Sequence, residues 1–182
     1  MANQNFLNQR QTPDNSILDI NGRQTYLGNA FVSGTQIGSI GSTAETPYVL
    51  ISNPSTSGMS MFIFVKKMTI VTTTSATVTF RYYANPTVTT AGTALNRNNL
   101  RLNASAPTSQ VNMTQTPTVS ANGAFIADLG AGSGGGQIVS EVLQIIDPGN
   151  SLLITVTESS ATVPVSVEIV WYEIPYTTNI AI

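Results

Sequence analysis

Nine carboxylates carry almost all the acid–base chemistry this sequence can offer: Asp14, Asp19, Glu45, Asp128, Glu141, Asp147, Glu158, Glu168 and Glu173. There is no His and no Cys. That removes imidazole bases, thiol nucleophiles, disulfides and the usual zinc ligands together. Ser and Thr abound, but without His and without a Gly-x-Ser-x-Gly turn they form no hydrolase triad. A glycosidase needs two carboxylates facing one another across the scissile bond. Glu168 and Glu173 stand at odd spacing in one strand-like segment and are expected on opposite faces. Asp147 lies in "DPGN", where its side chain is expected to cap the turn rather than to hold a metal. "GAGSGGGQ" (130–137) lacks the Lys-Ser/Thr of a phosphate-binding loop and precedes a strand, so it reads as a surface loop. No catalytic, cofactor or metal site is predicted.

What remains is a question of surfaces. The chain has 182 residues, 41% of them hydrophobic and only 9% charged, against roughly 25% in an average soluble protein. Thr, Ser, Asn and Gln must therefore supply the polar exterior. Charge depletion is a mark of protein–protein interface cores. The seven Lys and Arg are scattered and the net charge is −2. A nucleic-acid partner, which requires clustered cations, is not expected. "MSMFIFVKKMTIV" is too short to span a bilayer and is interrupted by Lys66 and Lys67, so no membrane partner is expected either. "MANQNFLNQRQTPDNS" has no basic start followed by an apolar run. The reading is a chain made in the cytosol without secretion, which leaves the sequons at Asn103 and Asn112 without a role.

The elements that must build those surfaces are strands. Residues 1–44 are rich in Asn, Gln, Gly and Ser and keep no period, with apolar residues scattered at Phe6, Leu7, Ile17, Leu18, Ile20, Phe31, Ile37 and Ile40. They read as an extended arm whose anchors would be Phe6, Leu7, Ile17, Leu18 and Ile20. From residue 45 to 182 the pattern is β. "ETPYVLIS" and "MSMFIFVKKMTIV" are strands. The second carries Phe62, Phe64, Met68 and Ile70 on one face, with Met61, Ile63, Val65 and Val71 on the other. Apolar residues on both faces imply burial on both sides, so Phe62 and Phe64 are candidates for a contact between subunits. "ATVTFRYY" alternates, with Ala76, Val78, Phe80 and Tyr82 on one face and Thr77, Thr79, Arg81 and Tyr83 on the other. "QVNMTQTPTVS" turns at Asn122-Gly123, "AFIADL" follows, and "IVSEVLQII" runs into "DPGN". "SLLITVTE" and "PVSVEIVWYEIP" complete the set, the last with Val165, Val167, Ile169 and Trp171 inward. About eight strands and no helix give an all-β, antiparallel sandwich of jelly-roll type. Tyr82, Tyr83, Trp171 and Tyr172 are the side chains on which a glycan could stack, although neighbours on a strand point to opposite sides.

Four segments, "VLISNPSTSGMSMFIFVKKMTI", "FRYYANPTVTTAGTALNRNNL", "DPGNSLLITV" and "VSVEIVWYEI", together resemble a β-domain of tailed-bacteriophage virion proteins, across about residues 45–175. The resemblance implies a structural protein of the phage particle, often trimeric: a capsid decoration protein, head fibre or tail-associated protein. It brings no catalytic residue and no cofactor. The partners implied are copies of the chain itself and the major capsid or another virion protein, and the location is the virion. On this reading "FRYYANPTVTTAGTALNRNNLRL" is a strand followed by a long inter-strand loop. Its only two charges beyond Arg81, Arg97 and Arg101, are expected to make fork-like hydrogen bonds to a neighbouring subunit. The alternative is a receptor-binding module at a fibre tip that recognises a host glycan.

Overall fold

The structure is a computed structural model. It describes residues 25, 27–35, 38–40, 44–70, 77–101, 109–133, 136–140, 144–158 and 163–176. Fifteen strands run through them. The first five are β1 (Ala30–Gly34), β2 (Gly38–Ile40), β3 (Thr46–Ser52), β4 (Met59–Ile70) and β5 (Thr77–Ala84). Five short ones follow: β6 (Thr87–Thr90), β7 (Thr93–Ala94), β8 (Asn98–Asn99), β9 (Asn112–Gln115) and β10 (Thr118–Ala121). The last are β11 (Ala124–Ser133), β12 (Gly136–Ser140), β13 (Gln144–Ile146), β14 (Ser151–Glu158) and β15 (Val163–Pro175). β-Branched and aromatic residues at alternating positions fill the long ones, as a half-buried pleated strand requires.

The strands form two antiparallel sheets around one core. One has the order β12-β4-β15-β1-β8, with β13 continuing β12 along β4 and β2 continuing beside β15. The other has the order β11-β5-β14-β3-β9-β7, and β6 pairs β10 as a separate ribbon. The inward residues of both sheets make a single cluster that includes Phe31, Tyr48, Met61, Ile63, Met68, Phe80, Tyr82, Ile154, Val167 and Trp171. Phe31 stacks on Trp171 with ring centroids 5.8 Å apart. Tyr48 of β3 crosses the core and donates its hydroxyl to the Val165 carbonyl of β15 at 2.8 Å, which ties one sheet to the other. The set expected inward on β15, Val165, Val167, Ile169 and Trp171, is fully buried. Of the face shared by Ala76, Val78, Phe80 and Tyr82, the last three are fully buried and Ala76 lies outside the described residues.

Four expectations change. Strict alternation fails in β4. Val170 pairs Val65 but Trp171 pairs Ile63, so Phe64 is an extra residue in a bulge. A bulge shifts the side-chain phase by one. Met61 and Ile63 therefore face the same core as Lys66, Met68 and Ile70, rather than opposite Met68 and Ile70. Second, the arm does not extend to residue 44. β1 pairs β15 and β8, β2 pairs β15, and Phe31 lies in the core, because their backbones extend the ladder beside β15 and Phe31 stacks on Trp171. Third, "GAGSGGGQ" is largely strand. Ala131 to Ser133 pair β5 and Gly136 and Gln137 pair β4, leaving only positions 134 and 135 between the strands. Fourth, Asn122-Gly123 does not close a hairpin between β10 and β11. β10 pairs β6 and β11 pairs β5, so the dipeptide is a kink between two ribbons.

Candidate interaction surface

The stretch read as a long loop after β5 is three short strands with three different partners. β6 pairs β10, β7 pairs β9 at the edge of the six-stranded sheet, and β8 pairs β1 at the edge of the seven-stranded sheet. β7 and β8 thus end the two sheets on the same side of the sandwich. Its exit from the sandwich is fixed by backbone conformation. Asn85 and Thr116 precede β6 and β10 with φ of 52° and 53°, and Gly92 and Gly123 follow them at 87° and 91°. At Gly123 a Cβ would lie 2.1 Å from the Ala84 carbonyl oxygen, so only glycine fits. Asn85 is pinned to the Asp147–Asn150 turn: its amide donates to Asn150 Oδ1 at 3.1 Å, and its own Oδ1 accepts from Ser151 N at 2.9 Å. That turn forms as expected, with Asn150 N donating to the Asp147 carbonyl at 3.1 Å. The Asp147 carboxylate does not cap it but accepts from Ser60 Oγ at 2.6 Å.

A buried carboxylate latches the far side of the excursion. Glu173 Oε1 accepts from Ser109 Oγ at 2.5 Å and from Trp171 Nε1 at 3.1 Å, and Oε2 accepts from Gln110 N at 3.0 Å. Glu168 of the same strand faces outward, 4.0 Å from Lys67, so the two carboxylates are on opposite faces. Arg97 donates Nη1 to the Val111 carbonyl and, at 3.0 Å, to Asn112 Oδ1. It is therefore engaged by its own chain, beside the point where β7 pairs β9 and Leu95 N donates to the Met113 carbonyl at 2.9 Å. Arg101 is half-buried, and its backbone N–H donates to Asn99 Oδ1 at 2.8 Å.

The aromatic residues divide as strand geometry dictates. Tyr82 and Trp171 are fully buried. On the outer face of the seven-stranded sheet Phe62 stacks on Tyr172 at 5.2 Å and 9°. On the outer face of the six-stranded sheet Tyr83 meets Phe125 edge-on at 5.7 Å. Sequence reasoning missed the exposed apolar side chains around this corner: Phe125 is 58% exposed, Ile126 45% and Ile145 54%. The lone signal was apolar residues adjacent in "AFIADL" and "QII", where alternation alone would alternate them. The Phe64 side chain and the arm anchors Phe6, Leu7, Ile17, Leu18 and Ile20 lie outside the described residues.

Two charged groups were also missed. Lys66 is fully buried in the core by the β4 bulge, donating Nζ to Gln144 Oε1 at 3.1 Å, with the ammonium 5.3 Å from the Tyr82 ring centroid. Burial pushes its pKa down to about 8. On the outside of the six-stranded sheet Arg81 bridges Asp128 at 2.9 Å and Glu45 at 3.2 Å, and Thr155 donates to Glu45 at 2.5 Å. Burial works to raise the Glu45 pKa. Hydrogen bonds from Thr155, Tyr83 and Arg81, with the Arg81 charge, outweigh that and hold it low.

Among the described residues no three Asp or Glu come together as a cation site, and no helix is long and apolar enough to cross a membrane. The fold and surface define an all-β antiparallel sandwich with a charge-poor exterior. No family model matches the chain, and neither a curated protein nor a solved structure matches it.

Proposed function

We propose that this chain is a structural protein of a tailed-bacteriophage particle. It is a decoration protein that binds the outer capsid surface as a homotrimer and strengthens the shell, with no chemistry of its own. The observation that carries this reading is the exterior: an uncharged ribbon, β6–β10, and an apolar corner stand exposed on a chain with seven basic and nine acidic residues. Such a surface suits burial against proteins. The sequence resemblance to phage virion β-domains supports the particle.

The sandwich itself is a jelly roll in this proposal. Taking β1 with β2 and β12 with β13 as single strands, the core strands number eight in chain order. The sheets then read 6-3-8-1 and 5-4-7-2, which supports two interleaved Greek keys. The segment bearing Phe6, Leu7, Ile17, Leu18 and Ile20 lies across capsid subunits while the sandwiches associate, so that individually weak contacts multiply through effective concentration. Closed symmetry matches a local three-fold of the shell.

The test is to add purified protein to shells lacking it, as the full chain and without residues 1–24, and to record occupancy and shell melting. The full chain should saturate the shells and raise their melting temperature, and the truncated chain should not bind. Absence of binding by the full chain overturns the proposal. Saturation by the truncated chain overturns the role given to the N-terminal segment. The cut falls before β1, since that strand belongs to the sheet.

A further inference from the structure

A cleft of about 280 Å³ lies where β11 of one sheet and β13 of the other end side by side. Ile126, Ile145 and Leu152 form its apolar wall. Ile126 reaches it through a bulge: Phe125 pairs Tyr83 and Ala127 pairs Tyr82, which leaves Ile126 as the extra residue of β11. Ile126 and Ile145 keep about half of their surface in solvent. The polar part of the lining is Asn85, Gln144, Asp147, Asn150 and Ser151, and Asp147 is its one charged residue.

Partners behind the cleft hold its polar groups in one orientation. Lys66, buried in the core, has only donors to offer, so Gln144 turns Oε1 to it at 3.1 Å and keeps Nε2 for the cleft. Ser60 donates to Asp147 Oδ1 at 2.6 Å, which leaves Oδ2. Asn85 accepts from Ser151 N through Oδ1 and gives one Nδ2 proton to Asn150 Oδ1. Among the described residues Gln144 Nε2 and Asp147 Oδ2 make no hydrogen bond. The three amide oxygens are therefore spent, while amide N–H groups and one carboxylate oxygen remain. A cation needs several oxygens and would meet one free carboxylate oxygen among N–H groups. A hydroxyl both donates and accepts, so it satisfies both kinds of group.

We propose that this cleft binds a neutral sugar ring. Its hydroxyls donate to Asp147 Oδ2 and accept from Gln144 Nε2 and Asn85 Nδ2, and the C–H face of the ring lies on Ile126 and Ile145. The volume falls at the low end for ligand clefts, about 300–1,000 Å³, which fits one ring rather than an extended chain. The polar groups need no rearrangement, since buried partners already fix them, and that lowers the cost of binding. With Asp147 as its one charge, the cleft disfavours an acidic sugar. The inference does not rest on the decoration role.

The test follows the side-chain amide resonances of the nitrogen-labelled full chain by NMR. The probes are the methyl glycosides of glucose, galactose, mannose and N-acetylglucosamine, which between them vary the axial and equatorial hydroxyls. At least one should shift the Gln144 and Asn85 side-chain signals saturably at millimolar concentration. Asp147→Asn keeps an acceptor for Ser60 and turns the free oxygen into a donor. It should weaken that binding by about tenfold while the melting curve still shows a folded protein. Ile126→Trp fills the cleft and should abolish binding, again in a folded chain. The methyl glucuronide should bind less tightly than the glucoside. No saturable shift with any of the four glycosides, shifts confined to other residues, or full binding by either folded variant overturns the inference. So does calcium chloride moving these signals where no glycoside does, which would make the cleft a cation site. Equal binding of the glucuronide overturns the part given to Asp147. Shell occupancy is read separately, so failure here leaves the decoration role standing.

Discussion

Lys66 offers a quantitative test of how far the β4 bulge commits the core. Its ammonium has no solvent exposure, and burial lowers its pKa from 10.5 to about 8. Below pH 8 both folded and unfolded chains hold the proton, and the folded state carries the full cost of a buried charge. At about 1.36 kcal/mol per pKa unit that cost is about 3 kcal/mol. Between pH 8 and 10.5 the unfolded chain binds the proton that the folded chain has released, so stability rises with pH. Above pH 10 the buried tyrosines act in the opposite direction. Burial raises the pKa of Tyr82, Tyr48 and Tyr172, so the unfolded chain ionises first and stability falls. Urea unfolding of the wild type should therefore show a maximum near pH 9–10, an unusual place for a protein with acidic pI. Lys66→Met keeps an unbranched side chain, one heavy atom shorter, without the charge. It should stabilise the protein at pH 7 by about 1–3 kcal/mol, the range found when buried charges are replaced by apolar groups. That is about 2–12 °C in melting temperature for a chain of this size. The variant should lose the rise above pH 8 and match the wild type near pH 10. A wild type whose stability is flat from pH 8 to 10, or a Met variant less stable at pH 7, would refute the placement of Lys66 in the core.

Three further outcomes follow from the polar latches and the kinks. Glu173→Ala strands the donors of Ser109, Gln110 and Trp171 and should cost about 3–5 kcal/mol, with faster hydrogen exchange at Gln110 and Val111. Unchanged exchange there would mean that the excursion is held by other contacts. Gly123→Ala places a Cβ 2.1 Å from the Ala84 carbonyl oxygen at φ 91°; it should destabilise by about 2–3 kcal/mol in thermal melts, and a loss below 0.5 kcal/mol, the size of an ordinary surface change, would contradict the kink. Glu45 has a depressed pKa, so its contribution is present above its unfolded value of 4.5 and is lost as pH falls through the lower folded value. Arg81→Gln should flatten the acid limb of the stability curve there, and an unaltered acid limb would show that the Arg81 bridge does not set that pKa.

The sequence by itself determined the class and most of the inward faces. With period-two alternation in "ATVTFRYY" and "PVSVEIVWYEIP", Val78, Phe80, Tyr82, Val165, Val167, Ile169 and Trp171 had to share faces, since a strand offers only two. The absence of His and Cys and the scarcity of charge likewise stood in the composition. What the tertiary structure alone decided were the places where backbone pairing overrides local pattern. A single extra residue at Phe64 moves Lys66 into the core, and another at Ile126 turns an apolar side chain out to the cleft. Nothing in either segment marks the bulge, because its cause is the register of a partner strand far away in sequence. The glycines of "GAGSGGGQ" read as a loop by propensity, yet ladder bonds to β5 and β4 hold them extended. β1 had no readable period because so short a strand, held between β15 and β8, needs only a few inward residues, Phe31 among them. The apolar corner belongs to the same category. Phe125, Ile126 and Ile145 are ordinary strand residues in sequence, and they become a surface only because two sheets end side by side there.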